Sequence, residues 1–94
     1  MRILVLTASF KRSFKALIRR DPQMETKIAE RLRLLVSDPF NPSLKTHKLK
    51  GKLSGAWSCS VEYDCRIIFN FKESSNSEQE EILLIDIGSH DDVY

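Results

Sequence analysis

Two histidines and a cluster of lysines are the side chains of this 94-residue sequence best suited to chemistry. One histidine lies in Gly88-Ser89-His90-Asp91-Asp92-Val93-Tyr94, an imidazole and a phenol following an expected strand. The other lies in Lys45-Thr46-His47-Lys48-Leu49-Lys50-Gly51-Lys52, among four lysines. An imidazole titrates near neutrality, so one ring can accept a proton while a second donates one. Nearby cations can neutralise charge that grows on a phosphoryl group. Base, acid and cations together are what metal-free RNA cleavage requires. Nothing comparable supports a metal or cofactor. Cys59, Cys65, His47 and His90 are scattered as single positions, whereas structural zinc sites present closely spaced ligand pairs. The two cysteines read better as small buried hydrophobes, and too few to staple a fold. No cofactor is expected.

The elements that must position these groups fit one domain, residues 1–94, since a chain of this length supports a single core. Apolar residues at 41% beside charged residues at 30% are ordinary for a globular protein and disfavour disorder. No apolar run approaches the roughly 20 residues that cross a bilayer. The apolar stretch in Met1-Arg2-Ile3-Leu4-Val5-Leu6-Thr7-Ala8 is too short for a secretory signal. A cytoplasmic protein with no membrane association is expected. The net charge of +2 conceals an asymmetry: residues 1–72 carry all 15 Lys and Arg against six acids, and residues 73–94 carry seven acids and no cation. Such a basic body suits a polyanion or an acidic protein.

The pattern predicts a strand, two helices, a basic loop and three further strands. Arg2 to Leu6 is a short apolar run, and Ser9 is the expected cap of the first helix. Phe10, Phe14, Leu17 and Ile18 recur at helical spacing, with Lys11, Arg12, Lys15 and Arg19 outward. Asp21-Pro22 is expected to start a second helix, with Asp21 as cap and proline at the first helical position. Met24, Ile28, Leu32 and Leu35 form its apolar stripe, and Asp38-Pro39 stops it. Asn41 to Gly55 shows no period and reads as a loop with at most one short turn. Trp57 to Glu62 and Arg66 to Lys72 alternate and flank Tyr63-Asp64, a hairpin turn. Ser74-Ser75-Asn76-Ser77 reads as a longer connection before a last strand from about Ile82 to Ile87.

Side chains alternate faces along a strand. Trp57, Cys59 and Val61, then Cys65, Ile67, Phe69 and Phe71, then Leu83, Ile85 and Ile87 are the expected core-facing sets. The opposite parity carries Ser58, Ser60 and Glu62, then Arg66, Ile68 and Asn70, then Ile82, Leu84, Asp86 and, where the strand stays regular past Gly88, His90. Arg66 and His90 are therefore expected on one solvent-facing side of the sheet. The plainer alternatives are that Arg66 pairs with Glu62 across the hairpin, a weak surface contact, and that His90 is merely solvated.

His47-Lys48-Leu49-Lys50-Gly51, Leu53-Ser54-Gly55-Ala56-Trp57, Arg66-Ile67-Ile68-Phe69 and Gly88-Ser89-His90-Asp91-Asp92-Val93-Tyr94, in this order, resemble the RelE/ParE superfamily of bacterial type II toxins. The resemblance covers nearly the whole chain and is nearest to ribosome-dependent mRNA interferases of the YafQ and YoeB kind. It implies an α+β fold, β-α-α-β-β-β, in which two antiparallel N-terminal helices pack on a twisted, mainly antiparallel four-stranded sheet with an RNA-binding concavity on its other side. It also implies roles. His47 matches a loop acid or base, Arg66 the arginine that binds the scissile phosphate, His90 an acid–base histidine and Tyr94 an aromatic that orients the nucleotide. Asp64 falls where YafQ-like members hold an aspartate implicated in catalysis, and it suits a hairpin turn equally. The chain departs from that pattern at Ser60, where a histidine is expected, and at Cys65, where a tryptophan is expected.

The implied reaction is attack of an RNA 2′-hydroxyl on its own 3′-phosphate, with His47 as base and His90 as acid or the reverse. Arg66 would clamp the phosphoryl oxygens, Lys48, Lys50 and Lys52 would hold the RNA backbone, and Tyr94 would stack on a base. The implied partners are the ribosome, mRNA and an acidic antitoxin, in a hetero-oligomer that binds operator DNA through the antitoxin. Two other outcomes fit the same fold: a ParE-like DNA gyrase inhibitor that cuts nothing, and a degenerate antitoxin-binding regulatory module.

Overall fold

A computed structural model of the chain describes residues 2–51, 55–73 and 80–89. Strand β1 (Arg2–Leu6) is followed by helices α1 (Ala8–Arg20) and α2 (Met24–Ser37), then a 3-10 turn at Pro42–Leu44. Strands β2 (His47–Lys48), β3 (Trp57–Glu62), β4 (Cys65–Glu73) and β5 (Glu80–Gly88) complete the order. They form one five-stranded sheet, β1-β5-β4-β3-β2, in which β1 runs parallel to β5 and all other neighbours are antiparallel. The α+β class is as expected, with one strand more than the sequence suggests. That strand is the two-residue β2, too short to show any alternation in sequence. The Ser74–Ser77 connection lies outside the described residues, as do Lys52, His90 and Tyr94.

The helices and one sheet face close a single core. Phe10 of α1 and Met24, Ile28 and Leu35 of α2 meet Cys59, Val61, Cys65, Ile67, Phe69, Ile82, Leu84 and Ile87. Phe14, Leu17, Ile18 and Leu32 pack around them, so both helical stripes are confirmed. Burying side chains of this size contributes about 1.5–3 kcal/mol each, the dominant favourable term. Arg2 ties the sheet edge to the helical layer: its Nε donates to Glu80 at 3.0 Å and a terminal nitrogen donates to the Val36 carbonyl at 3.1 Å.

Strand β5 corrects the expected parity. Ile82, Leu84 and Ile87 are buried in the core, while Leu83 and Ile85 are only half-buried. The reason is a bulge: Ile68 pairs with Asp86 and Phe69 pairs with Leu84, leaving Ile85 as an extra residue. One inserted residue reverses which side chains face inward. Counting back from Ile87 therefore gives the wrong face for everything before Ile85. Ile68 is also buried, although it lies on the face away from the helices. It sits in a central strand with neighbours on both edges.

Both helix starts differ from expectation. Thr7, not Ser9, caps α1, its Oγ1 accepting from the Phe10 amide at 3.1 Å and donating to the Leu84 carbonyl at 2.8 Å. Thr7 wins because the ladder of β1 against β5 ends at Leu6 and leaves the next hydroxyl over Leu84. Helix α2 starts at Met24 with no side-chain cap, and the Asp21 carbonyl accepts from the Met24 amide at 3.1 Å. Residues 21–23 form the turn between the helices, two residues more than a capped restart at Pro22 would leave.

Thr7→Ala should therefore destabilise the protein by about 1–2 kcal/mol in denaturant unfolding, whereas Ser9→Ala should change stability by less than about 0.5 kcal/mol.

Candidate functional site

The basic loop is held down along its length before it reaches His47. Asn41 caps the 3-10 turn, its Oδ1 accepting from the Ser43 amide at 3.0 Å and the Ser43 hydroxyl at 2.8 Å. Asn followed by Pro is a helix-start signal, and here it starts one short turn. Arg31 of α2 donates to the Ser43 carbonyl and hydroxyl at 3.2 and 3.1 Å. Leu44 is fully buried in the core, and Thr46 donates its hydroxyl proton to the Pro39 carbonyl. Lys45 is the one described non-glycine residue at positive φ, 52°, which turns the chain from the 3-10 turn into β2.

That turn presents the Lys45 carbonyl to the His47 ring, Nδ1 to O at 3.0 Å. A carbonyl only accepts, so the ring nitrogen facing it carries the proton. In the neutral ring Nε2 then holds the lone pair, the form a general base needs. His47 itself is exposed.

Pairing carries His47 across the sheet. Residues opposite one another in a ladder share a face. His47 pairs with Ser58, and Ser58 pairs with Ile68, on the side away from the helices. One row along, Ser60 pairs with Arg66 and Arg66 with Gly88. His47 and Arg66 thus share a face, separated by two strand spacings of about 4.8 Å and one row of about 7 Å. Between them lie Ser58 and Ser60, both buried. The Ser60 hydroxyl donates to the Glu62 carbonyl at 3.1 Å.

Arg66 is half-buried and makes no ion pair among the described residues. The expected alternative partner, Glu62, is taken by Lys27 of α2 at 2.8 Å, a contact that raises the Lys27 pKa. Asp64 is exposed in the hairpin turn with Tyr63. It lines a depression with Arg20, Asp21, Glu62, Cys65, Gly88 and Ser89, beside the point where the chain passes to His90.

Lys48 is turned away. It pairs with Trp57, and its Nζ lies 5.6 Å from that ring's centroid. His47 and Lys48, adjacent in sequence, serve opposite faces. Lys50 is exposed. Arg31, Asn41, Thr46 and the Lys45 carbonyl, which set His47, carried no signal as site residues. Asn41-Pro42, which with Asp38-Pro39 reads in the sequence as the stop to α2, is the signal that could have located the turn.

Among the described residues no group of three or more His, Cys, Asp or Glu is arranged to hold a metal ion. Burial pushes the Cys59 thiol up to about 12, and burial together with the Glu62 and Asp64 carboxylates pushes Cys65 up to about 11. Both stay protonated at neutral pH.

The model of a bacterial toxin of type II toxin–antitoxin systems, YafQ, matches residues 2–94. The chain belongs to the YafQ toxin family. It is a RelE/ParE-superfamily type II toxin close to YafQ and YoeB. A YoeB/ParE toxin from Agrobacterium tumefaciens superposes with a TM-score of 0.76 at 26% identity, covering 94% of this chain and 98% of that one. A copper-bound mutant toxin from Helicobacter pylori gives 0.81 at 25% identity, covering 100% of both chains. The E. coli DinJ–YafQ complex gives 0.76 at 19% identity, covering 100% of this chain and 99% of its own, a likeness of fold. No curated protein matches the sequence.

The raised thiol pKa values have a pH consequence. A thiol whose folded pKa lies above its unfolded value of 9.0 stabilises the fold below pH 9 and loses that contribution as pH rises toward 11–12. Iodoacetamide at pH 8 should label Cys59 and Cys65 slowly in the native protein and rapidly in denaturant. Equal native and denatured rates would contradict the burial. Lys45→Gly, which removes the steric cost of positive φ, should raise stability by about 1 kcal/mol.

Proposed function

We propose that this toxin is a ribosome-dependent mRNA endoribonuclease that cleaves by metal-free acid–base chemistry. The observation that carries the reading is the placement of His47 and Arg66 on one sheet face, with the His47 Nδ1 engaged by a backbone carbonyl and its Nε2 left for a proton. In the proposed step the RNA 2′ oxygen attacks the adjacent phosphorus as its proton passes to His47 Nε2. The bond from phosphorus to the 5′ oxygen breaks, and His90 protonates the departing oxygen. A 2′,3′-cyclic phosphate and a 5′-hydroxyl remain.

Arg66 bears on the phosphoryl oxygens, where its planar fork can hold two at once. Its lack of a carboxylate partner among the described residues supports this role, because a paired guanidinium would have to be released first. Lys50 and Lys52 supply backbone contacts. Tyr94 stacks on the substrate base. Asp64 faces the depression shared with Ser89 and is proposed to orient the acid at the next residue. Serine at position 60, between His47 and Arg66 on the sheet, adds no titratable group and leaves those two as the proton and charge carriers on that face.

The E. coli relative is recorded in complex with DinJ. By that likeness the partner of this chain is an antitoxin, of acidic character, that covers the basic surface in a hetero-oligomer and brings it to operator DNA. The site of action is the translating ribosome in the cytoplasm. Among the described residues no helix is long and apolar enough to cross a membrane.

Induced expression followed by mapping of RNA 5′ ends should show codon-positioned cuts in translated mRNA. An SOS response without cuts would point to gyrase inhibition, and the absence of both would point to an inert regulatory module. In a purified translation assay His47→Ala and His90→Ala should each slow cleavage about 10²–10⁴-fold. Arg66→Ala should slow it about 10²–10³-fold. Undiminished cleavage by Arg66→Ala would sink the proposed mechanism.

A further inference from the structure

The proposed chemistry makes no use of an aromatic cluster at the β2 end of the sheet. Phe40, in the segment after α2, stacks on Phe71 of β4 with ring centroids 5.8 Å apart and planes 29° from parallel. It meets Trp57 of β3 edge-on at 5.5 Å, and Trp57 meets Phe71 edge-on at 5.5 Å. Each ring is thus fixed by two others. Phe71 and Trp57 are half-buried against the core, but Phe40 leaves 59% of its surface in solvent. The Lys48 ammonium sits over the Trp57 ring, and Lys45, Lys48 and Lys50 are all exposed with no acidic partner among the described residues.

We infer that this aromatic ledge is a second contact site for single-stranded RNA, where a base stacks on Phe40 while Lys48 meets the neighbouring phosphate. The inference rests on the RNA reading above. Every base offers a flat π-face, and fixed aromatic rings flanked by unpaired cations are the combination that holds single strands without regard to sequence. Because packing already immobilises Phe40, stacking on it orders no further protein side chain. The cation–π contact keeps the Lys48 ammonium at the edge of the ring cluster without neutralising it.

Position supports the same reading. His47 and Lys48 are neighbours on β2 and serve opposite faces of the sheet, so one RNA strand passing around this rim reaches both the cleavage face and the ledge. A peptide fits less well. Strand addition draws its affinity from main-chain hydrogen bonds along an edge, and β2 offers only two residues.

The test is titration of the full-length protein with a short 2′-O-methyl oligoadenylate, which stacks but lacks the attacking hydroxyl. Trp57 is the only tryptophan in the chain, so its fluorescence reports the ledge directly. Binding should quench it. Phe40→Leu, which keeps an apolar side chain and removes the π-face, should weaken affinity on the order of tenfold, and Phe40→Tyr should restore it. Lys48→Gln should flatten the dependence of log affinity on log salt by roughly one unit.

Equal affinities for the parent protein and Phe40→Leu, with Arg66→Ala still weakening binding, would overturn the ledge and leave the RNA reading standing. Failure of the parent protein to bind the oligonucleotide at low salt would overturn the ledge, while the RNA reading stands or falls with the codon-positioned cuts. Phe40-dependent binding of polyglutamate in place of the oligonucleotide would assign the ledge to an acidic protein partner and overturn the inference.

Discussion

Cys65, Ile67, Phe69 and Phe71 alternate with Arg66, Ile68 and Asn70 along β4, and ladder pairing to β3 on one edge and β5 on the other holds that alternation in place. The core and the candidate site are thereby opposite faces of one strand. The first set meets Phe10, Met24, Ile28 and Leu35 of the helices. Whatever fixes that packing also fixes the direction of Arg66, because a strand cannot rotate one side chain without its neighbours. A slip of one residue would bury the guanidinium and expose Phe69, a cost of several kcal/mol on both counts. The apolar half of β4 determines the position of Arg66 with no carboxylate partner among the described residues.

His47 is placed by other means. Strand β2 has two residues, and its pairing with β3 could not hold a loop of this length alone. The loop is held instead by Leu44 in the core, by Arg31 reaching from α2 to Ser43 and by Thr46 against the Pro39 carbonyl. These contacts are mostly backbone-directed, so they restrict the path of the chain while leaving Lys45, Lys48 and Lys50 exposed. The positive φ at Lys45 is a local cost accepted within that restraint, and it directs a carbonyl onto the imidazole. Backbone contacts thus fix the chain path at His47, beside exposed Lys45 and Lys50.

Much of the architecture was readable from pattern. The apolar stripes of both helices, the Tyr63-Asp64 turn, the parity of β4 and that of β3 as far as Ser60 hold, because each depends on periodicity within one element; a bulge between Ser60 and Glu62 then sets Glu62 opposite Cys65, against the expected parity. Elements that depend on a neighbour were not readable. Thr7 displaces Ser9 as a cap because the Leu84 carbonyl lies within reach of its hydroxyl. Strand β2 exists only because β3 offers an edge. The bulge at Ile85 leaves no mark in Ile82-Leu83-Leu84-Ile85, four apolar residues that satisfy either parity.

The sequence by itself determined the residue types available for chemistry, the basic body that surrounds them and the placement of Arg66 opposite the core-facing residues of β4, since alternation is a property of a single strand. Only the tertiary structure decided that His47 shares the Arg66 face, that Lys48 does not, and that Glu62 turns to Lys27 and leaves Arg66 without a carboxylate among the described residues. Those outcomes depend on which strands become neighbours and in what register. Pairing brings together residues as far apart along the chain as Arg2 and Glu80, and no local pattern records it.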